Sequence, residues 1–551
     1  AKTMVRIYAA YEETSERGGL VDFAELLLRA HELWLKSPEI LQHYQQRFKT
    51  ILVDEFQDTN IIQYAWLRVL AGQTIPVVAV GDDDQSIYGW RGARVENIQR
   101  FAEDFAGTET IRLEQNYRST ATILEAANAL IARNAGRLGK NLWTEGERGE
   151  PITLYAGFNE QDEARYIVEQ AETWFGDGHP RRSIAILYRS NAQSRVLEEA
   201  LLREGIPYRI YGGQRFYERV EIRNALAYLR LAQTRDDDPA LERVLNTPPR
   251  GIGSKTVEKI REVARSEQIP MWGAIHRTRE LSLLPARALT ALGNFQALID
   301  DLDRSSETLP LDQLTDHVIE VSGLLDYHRS EKGERGQARV ENLQELVTAT
   351  RLFEPEDEEI TPLQAFLDSA ALDAGEGQAD PYEDSIQMMT LHSAKGLEFP
   401  LVFIAGVEEN LFPHQMSLEE PGRLEEERRL AYVGITRAMK KLMITYAENR
   451  RLHGGDMYNT PSRFIREIPA ELIEEVRLNG AVSRPVGSLA HAPLSEPPPA
   501  GIDLGRRVLH QVFGEGVVTQ FEGQGSNARV EVSFSEGSKW LVLQYANLTI
   551  L

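Results

Sequence analysis

Residues 51–84 read ILVDEFQDTNIIQYAWLRVLAGQTIPVVAVGDDD and contain two short apolar runs, each of which ends in acidic residues. The intervening IIQYAWLRVL places Ile62, Trp66, Val69 and Leu70 at helical spacing. Strand, helix and strand in this order predict a parallel βαβ unit. Because ligands of parallel sheets bind beyond the carboxyl ends of the strands, both acidic clusters are expected at a binding site.

The pattern continues outward from this unit. Upstream, LVDFAELLLRAHELWL (residues 20–35) has the periodicity of an amphipathic helix. Downstream, further strands are predicted at residues 152–155, 184–188, 387–391 and 401–405, with helical segments between them, which indicates an α/β fold with at least two lobes. Between about residues 212 and 384 amphipathic helices dominate. The end of this segment, residues 353–384, has acidic but no basic residues and is predicted to be a solvated loop.

Composition excludes several classes of protein. The 551 residues include no cysteine, so disulfide frameworks, thiolate nucleophiles and cysteine-based zinc sites are excluded. No long apolar run and no signal-peptide pattern is present, so a cytoplasmic protein without membrane contact is expected. The 84 acidic and 61 basic residues give a net charge of −23. Nucleic-acid binding must therefore rely on local basic and aromatic groups.

The C-terminal part has a different texture. Residues 480–501 are rich in Pro, Ala and Ser and are predicted to be a linker. After the linker, apolar and polar residues alternate between glycine turns, which predicts a small β-barrel of four or five short strands.

The acidic clusters suggest nucleotide hydrolysis. Asp54 at a strand end suits a magnesium ligand, and Glu55 suits a base that activates water. Acidic pairs at strand ends are also common without catalysis, so this pair alone is a weak signal. In the second cluster, Gln85 precedes the aromatic and basic residues of SIYGWRGA, which suit stacking on single-stranded bases and pairing with phosphate.

Five ordered strings carry a family resemblance: DEFQDTN (54–60), VGDDDQSIYGWRGA (80–93), LEQNYRST (113–120), TLHSAKGLEFPLVFIAG (390–406) and EEERRLAYVGITRA (425–438). Together they resemble the motif set of superfamily 1 DNA helicases of the UvrD/PcrA/Rep type. The resemblance covers essentially the entire chain. It implies an ATP-dependent helicase that moves 3′ to 5′ on single-stranded DNA in repair or replication restart, in a bacterial cytoplasm and associated with the nucleoid.

The resemblance also implies a domain plan of the α/β class, with RecA-like motor lobes. The expected parts are a remnant of a helical accessory domain (1–48), an incomplete first lobe (49–114), the second lobe in two parts (115–211 and 385–479), a mostly helical insert (212–384), a linker (480–502) and a Tudor-like β-barrel (503–551). The barrel of this family implies docking to RNA polymerase or to repair proteins.

Site residues carry over from the family's motifs position by position, with ATP and Mg²⁺ as the expected cofactors. For nucleotide chemistry the resemblance implies Asp54 on magnesium, Glu55 on water, Gln85 on the γ-phosphate, Tyr117 on adenine, Glu398 on ribose, and Arg118 and Arg437 on the γ-phosphate. For single-stranded DNA it implies Tyr88, Trp90, Arg91 and His392.

A second DNA element is expected in NTPPRGIGSKT (residues 246–256). Gly251 and Gly253 make a tight turn whose amides suit a backbone phosphate, with Arg250 and Lys255 adding charge and Ser254 capping the next helix. This segment resembles the turn with which the family contacts duplex DNA at single/double-strand junctions. A plain glycine turn before a capped helix fits the spacing equally well.

One family motif, the phosphate loop GxxxxGK followed by Ser or Thr, is not found in residues 1–551. GRLGKN (136–141) and GIGSKT (251–256) lack the spacing of such a loop. The chain by itself is therefore expected to be inactive as an ATP hydrolase. An alternative follows, namely a hydrolysis-deficient remnant that binds DNA and docks a partner. A helicase-nuclease is disfavoured because only a linker and a barrel follow residue 469.

Overall fold

The computed structural model describes residues 2–331, 334–355, 360–375, 383–420, 422–452, 455–457, 459–476, 507–510, 514–522, 529–534, 537–542 and 549–550. The helices are α1 Lys2–Gly18, α2 Phe23–Lys36, α3 Pro38–Arg47, α4 Ile61–Ala71, α5 Glu96–Asp104, α6 Ala121–Ile131, α7 Glu160–Gly176, α8 Ser194–Arg203, α9 Val220–Gln233, α10 Asp238–Val244, α11 Ser254–Glu267, α12 Met271–Glu280, α13 Ala286–Ser306, α14 Leu311–Val321, α15 Leu324–Arg329, α16 Glu334–Leu352, α17 Pro362–Gly375, α18 Gln415–Glu419, α19 Arg423–Ile435 and α20 Arg463–Arg466.

The strands are β1 Ile51–Val53, β2 Val77–Ala79, β3 Ile152–Gly157, β4 Ile184–Tyr188, β5 Tyr208–Ile210, β6 Ile386–Thr390, β7 Phe399–Ile404, β8 Ala438–Ala447, β9 Arg450–Leu452, β10 Gly455–Met457, β11 Ile473–Val476, β12 Arg507–His510, β13 Gly514–Glu522, β14 Arg529–Phe534, β15 Gly537–Val542 and β16 Thr549–Ile550. They belong to two compact units, Ala1–Val476 and Arg477–Leu551.

A seven-stranded parallel sheet forms the centre of the larger unit. Its order is β11-β3-β8-β7-β4-β6-β5, and each neighbouring pair is parallel. The four strands predicted around residues 152, 184, 387 and 401 are confirmed. In β4, Ala185 and Leu187 face one apolar core with α6 and α19, while Ile184 and Ile186 face the other with α7 and α8. A strand buried on both faces has a continuous apolar sequence, which explains ILY after Ala185. This sheet with its four helices is called the second lobe.

The predicted βαβ unit is also present. It lies within the range predicted for the incomplete first lobe (49–114), and residues 51–105 are called the first lobe from here on. Strands β1 and β2 pair in parallel, with Ile51 opposite Val77. The predicted apolar face of α4 is only partly correct: Leu70 is buried, but the other buried residues are Tyr64, Leu67 and Ala71. Trp66 instead stacks on Trp34 of α2, at 4.7 Å between ring centroids. A helix packed on two sides lacks a single apolar stripe, so periodicity alone misplaced the face.

Helices α9 to α17 confirm the prediction that helices dominate between about residues 212 and 384. They share one apolar core. The predicted solvated loop at residues 353–384 is wrong over α17, where Phe366, Leu367 and Ala370 are buried. These residues, with Leu363, recur at positions i, i+3, i+4 and i+7, so the acidic composition concealed an amphipathic helix. None of the helices in the described ranges combines the length and hydropathy that a membrane crossing requires.

The smaller unit contains a five-stranded antiparallel sheet in the order β15-β14-β13-β12-β16. The prediction of about five short strands is confirmed, and the closure of the sheet into a barrel stays a prediction. The linker predicted at residues 480–502 lies outside the described residues.

Candidate functional site

The first acidic pair lies at the carboxyl end of β1, as predicted. Both Asp54 and Glu55 are exposed. Glu55 has φ 47° and ψ 43°, in the left-handed region that is uncommon for residues other than glycine. The backbone amide of Glu55 donates to Asp54 Oδ1 at 2.9 Å. Backbone strain of this kind concentrates at functional sites, so the conformation supports a special role for this turn.

Lys395, which the sequence reasoning did not single out, reaches this turn from the loop after β6. Its ammonium group lies 3.2 Å from Glu55 Oε2, 2.7 Å from Asp58 Oδ2 and 2.9 Å from the carbonyl oxygen of Gln85. The contacts with Asp58 and Gln85 are hydrogen bonds, and the contact with Glu55 is an ion pair. Burial raises the pKa of Asp58, against the opposing effect of Lys395. Lys395 thus connects the acidic turn of the first lobe to the second lobe.

Gln85 lies in the loop after β2 and contacts the same site. Its side-chain amide donates to Asp82 Oδ2 at 2.7 Å. Gln57, which is fully buried, joins the two strand ends, because it donates to Glu55 Oε2 at 2.5 Å and accepts from the amide of Asp82 at 2.9 Å. The two acidic clusters therefore meet at one edge of the sheet, as the parallel βαβ unit predicted.

Two residues implied for nucleotide binding are paired with each other. Arg118 Nε donates to Glu398 Oε2 at 2.5 Å, and this ion pair is partly exposed. Asn116 shapes the preceding turn, since its side-chain oxygen accepts from the amides of Arg118 and Ser119 at 2.8 and 2.9 Å. The ring of Tyr117 is 86% exposed, which leaves its faces open to stacking.

Arg437 is buried just after the end of α19, at 2% exposure. Its guanidinium group donates to the carbonyl oxygens of Val433 and Leu397, both at 3.0 Å, and to Thr436 Oγ1 at 3.2 Å. Burial, followed by the charge of Arg118, lowers the pKa of Arg437 from its ordinary value to about 10. The two arginines are thus close enough to interact electrostatically, and Arg437 remains charged at neutral pH.

The residues predicted to contact single-stranded DNA form an aromatic and cationic cluster, in which Trp90 and Arg91 are exposed and the other two members are partly buried. The guanidinium carbon of Arg91 lies 4.5 Å from the ring centroid of Trp90 and 5.1 Å from that of Tyr88. Trp90 is 39% exposed. The hydroxyl of Tyr88 donates to the carbonyl oxygen of His392 at 3.4 Å. His392, which is 304 positions from Tyr88 in the sequence, is therefore its neighbour in the fold.

His392 differs from the other members in its charge. Burial, with the nearby Arg189 as the next cause, lowers the pKa of His392 to about 3. Its imidazole is therefore neutral at physiological pH. A DNA contact by His392 would use stacking or a neutral hydrogen bond rather than an ion pair with phosphate.

The glycine turn at residues 250–255 lies in the helical segment, away from the strand ends. Gly251 has φ +78° and open space around its Cα. Arg250 differs from the expected phosphate ligand, because its guanidinium group donates to the carbonyl oxygens of Val244, Pro248 and Ser322 at 2.7–3.2 Å.

The predicted cap of the following helix is wrong. Gly253 occupies the N-cap position, and Ser254 is the first residue of α11. No side-chain cap is found at this end of the described helix. The amides at the start of α11 are thus not covered by a serine hydroxyl, so they and Lys255 remain the candidate phosphate contacts.

Comparison with known proteins agrees with the arrangement of these motifs. Residues 1–106 match the model of the UvrD/REP helicase N-terminal domain, and residues 111–449 match that of the UvrD-like helicase C-terminal domain. The chain belongs to the UvrD-like helicase family. The UvrD-like C-terminal match includes six of the seven strands of the central sheet, all except β11, and the helices inserted between β5 and β6.

Several UvrD-like relatives are similar along nearly the whole chain. DNA helicase II of Escherichia coli (strain K12) is 61% identical over 99% of this chain and 76% of its own length. DNA helicase II of Haemophilus influenzae is 56% identical over 99% of this chain and 75% of its own length. The ATP-dependent DNA helicase PcrA of Bacillus subtilis (strain 168) is 40% identical over 98% of this chain and 76% of its own length.

Proposed function

We propose that the protein is an ATP-dependent DNA helicase that moves 3′ to 5′ on single-stranded DNA, in DNA repair or replication restart. One observation carries the proposal: the acidic turn at Asp54 and Glu55 is joined through Lys395 to the lobe that carries Arg118 and Arg437. An ATP hydrolase of two lobes needs this arrangement, because acids on one side and arginines on the other must act on one γ-phosphate. The names of the relatives support the same function.

The residues fit ATP and Mg²⁺ as cofactors. Asp54 offers an exposed carboxylate, the kind of oxygen ligand that magnesium prefers. When bound, the ion would neutralise charge on the phosphates. Glu55 would orient and deprotonate the attacking water. Since Oε2 of Glu55 already accepts from Gln57 and pairs with Lys395, Oε1 is the oxygen that would accept the proton of the water.

The remaining roles follow the family's motifs. Tyr117 would stack on adenine, and its 86% exposure supports this role. Glu398 would contact the ribose and thereby release Arg118 for the γ-phosphate, where Arg437 would join it. Guanidinium groups suit such a role because they stay charged and present a planar set of donors.

The cluster of Tyr88, Trp90, Arg91 and His392 would hold single-stranded DNA by stacking and phosphate contact. Gly251, Gly253 and Lys255 would contact duplex DNA at a single/double-strand junction. Arg250 would support this turn through its carbonyl contacts rather than bind phosphate itself.

The antiparallel sheet of residues 507–550 would close into a Tudor-like barrel that docks RNA polymerase or repair proteins. The domain boundaries given by the family pattern, including a remnant accessory domain at 1–48, belong to the same proposal. Action in the cytoplasm at the nucleoid would follow from a DNA substrate in a bacterial cell.

The competing function is a DNA-binding and docking protein deficient in hydrolysis. It rests on residues 1–551 containing no GxxxxGK string with a following Ser or Thr. The helicase function is favoured because relatives whose alignments cover 98–99% of this chain are named as DNA helicases.

The deciding experiment measures ATP hydrolysis with and without single-stranded DNA, and unwinding of duplexes with a 3′ or a 5′ tail, using the full-length protein. We expect DNA-stimulated hydrolysis and unwinding of the 3′-tailed duplex. Binding of DNA without hydrolysis would support the competing function. Unwinding of only the 5′-tailed duplex would refute the proposed direction.

A further inference from the structure

The segment GRLGKN (residues 136–141), which is not a phosphate loop, covers the acidic loop that carries Gln85. Arg137 makes two hydrogen bonds to Asp84, at 2.7 and 2.6 Å, and Asp84 is 1% exposed. The amide of Leu138 donates to Asp83 Oδ2 at 2.8 Å. Lys140 donates to Asp82 Oδ1 and lies 3.5 Å from Asp84 Oδ2. Residues 82–85 are called the sensor loop, and residues 136–141 the basic segment.

The basic segment is fixed to the second lobe. Directly after it, the amide of Leu142 donates to the side-chain oxygen of Asn128 on α6 at 3.0 Å, and the amide nitrogen of Asn128 donates back to the carbonyl oxygen of Leu142 at 2.7 Å. Leu142 also packs against the apolar core of that lobe. Movement of α6 therefore carries the basic segment with it.

The sensor loop is held from both lobes. Gln57 of the first lobe accepts from the amide of Asp82 at 2.9 Å. On the other side, Ile87, two residues after Gln85, is fully buried in the core of the second lobe. A loop held at both ends transmits a change in the separation of the lobes to the side chains between its anchors.

Arg137 and Lys140 supply the positive charges beside the carboxylates of the sensor loop: Arg137 pairs with Asp84, and Lys140 pairs with Asp82 and Asp84. Arg137 engages both oxygens of Asp84 and is the static anchor. Lys140 engages Asp82, whose other oxygen accepts from the side chain of Gln85 at 2.7 Å. The ammonium group of Lys140 also lies 5.4 Å from the ring centroid of Tyr432, on the helix that leads to Arg437.

We infer that Lys140 is a positioning residue that holds Asp82, and through it the side chain of Gln85, so that the γ-phosphate sensor moves with the second lobe. This inference rests on the proposed function, because Gln85 needs a γ-phosphate to sense. Without Lys140, Asp82 keeps two carboxylate neighbours and loses its cation. The amide of Asp84, which donates to Asp82 Oδ1 at 3.0 Å, then holds the carboxylate without the help of a cation, so the side-chain amide of Gln85 loses a firmly fixed acceptor.

The test is Lys140→Met in the full-length protein, since methionine keeps the length of the side chain and removes its charge. We expect kcat for DNA-stimulated ATP hydrolysis to fall by about tenfold, as when one charge-assisted hydrogen bond is lost. KM for ATP should change by less than about threefold, because Lys140 acts on the chemical step rather than on uniform binding. Lys140→Arg keeps the charge and should restore most of kcat.

Two further variants separate positioning from folding. Asp82→Asn should reproduce the loss of kcat. The double variant with Lys140→Met should have a kcat no lower than that of the more impaired single variant, because both changes break one chain of contacts. Lys441→Met is the matched control, since Lys441 in β8 forms an ion pair with the exposed Glu150, at 3.1 Å, and is not part of the basic segment. It should behave as the wild type.

The outcomes distinguish this inference from the proposed function. A kcat for Lys140→Met within about twofold of the wild type, or fully additive losses in the double variant, would overturn the inference and leave the helicase proposal intact. Absence of DNA-stimulated hydrolysis in both the wild type and Lys441→Met would overturn the proposed function itself. Should Lys140→Met not fold, the comparison of Asp82→Asn with the wild type decides between the same outcomes.

Discussion

Replacing Arg437 by lysine should make ATP hydrolysis sensitive to pH near neutrality. The surroundings of Arg437 lower its pKa well below the ordinary value of an arginine, to about 10, chiefly through burial. A lysine at this position meets the same burial and the same neighbouring charge of Arg118. Since an ordinary lysine has a pKa of about 10.4, we expect the buried ammonium group to titrate near pH 8.

The direction of the effect follows from which form is active. The proposed role of residue 437 requires a positive charge, so activity is lost as pH rises through the pKa of the lysine. The wild-type arginine keeps its charge over the same range. Bound phosphates stabilise the ammonium group, so the loss should occur at higher pH in kcat than in kcat/KM, which reports the free enzyme.

The assay is DNA-stimulated ATP hydrolysis from about pH 6.5 to about pH 9.5, at constant ionic strength, for the wild type and Arg437→Lys. We expect a lower rate for the variant throughout, because lysine lacks the planar set of donors. Its kcat/KM should fall by about tenfold per pH unit above about pH 8 relative to the wild type. Parallel profiles for the two proteins would refute the assignment of a required charge at residue 437.

Glu55→Gln should reduce turnover by about 10²–10⁴-fold with ATP affinity nearly unchanged, and unchanged turnover in a steady-state assay would refute its role as a base. Trp90→Ala should weaken binding of a single-stranded oligonucleotide by about 1–3 kcal/mol, measured by fluorescence titration, and equal affinity would show that no base stacks there. Arg450→Met should destabilise the second lobe by about 3–5 kcal/mol, because Glu163 and Glu408 are then buried without their cation. A thermal unfolding temperature unchanged from the wild type would contradict this last expectation.

The sequence predicted the parts of the molecule that depend on local patterns. Four of the seven strands of the central sheet, β3, β4, β6 and β7, are mostly apolar runs of five or six residues between turns, which periodicity identifies well. The meeting of the Glu55 turn with the Gln85 loop followed from a general property of parallel sheets. Local pattern failed at α17, where charge composition masked a buried face, and at Ser254, where a glycine holds the cap position.

Long-range pairs could not be predicted from the sequence. Lys395 and Glu55 are 340 positions apart, and no periodicity links them. The sequence of the basic segment shows only that it does not fit a phosphate loop, because its partners Asp82 and Asn128 come close only when the chain folds. Burial of Arg437 also depends on tertiary packing, because an arginine in VGITRA has no local sign of being enclosed.

The interleaved order of the central sheet has a consequence for synthesis on the ribosome. Strand β4 lies between β7 and β6, and both of these partners follow α9 to α17 in the chain. Neither edge of β4 can pair until roughly two hundred further residues have been synthesised, which takes about 10–40 s of translation. The intervening helices share an apolar core of their own and are therefore able to fold before β6 and β7 are made. Nascent chains of this protein should thus expose an apolar strand with two open edges, which makes them clients for chaperones that shield such segments.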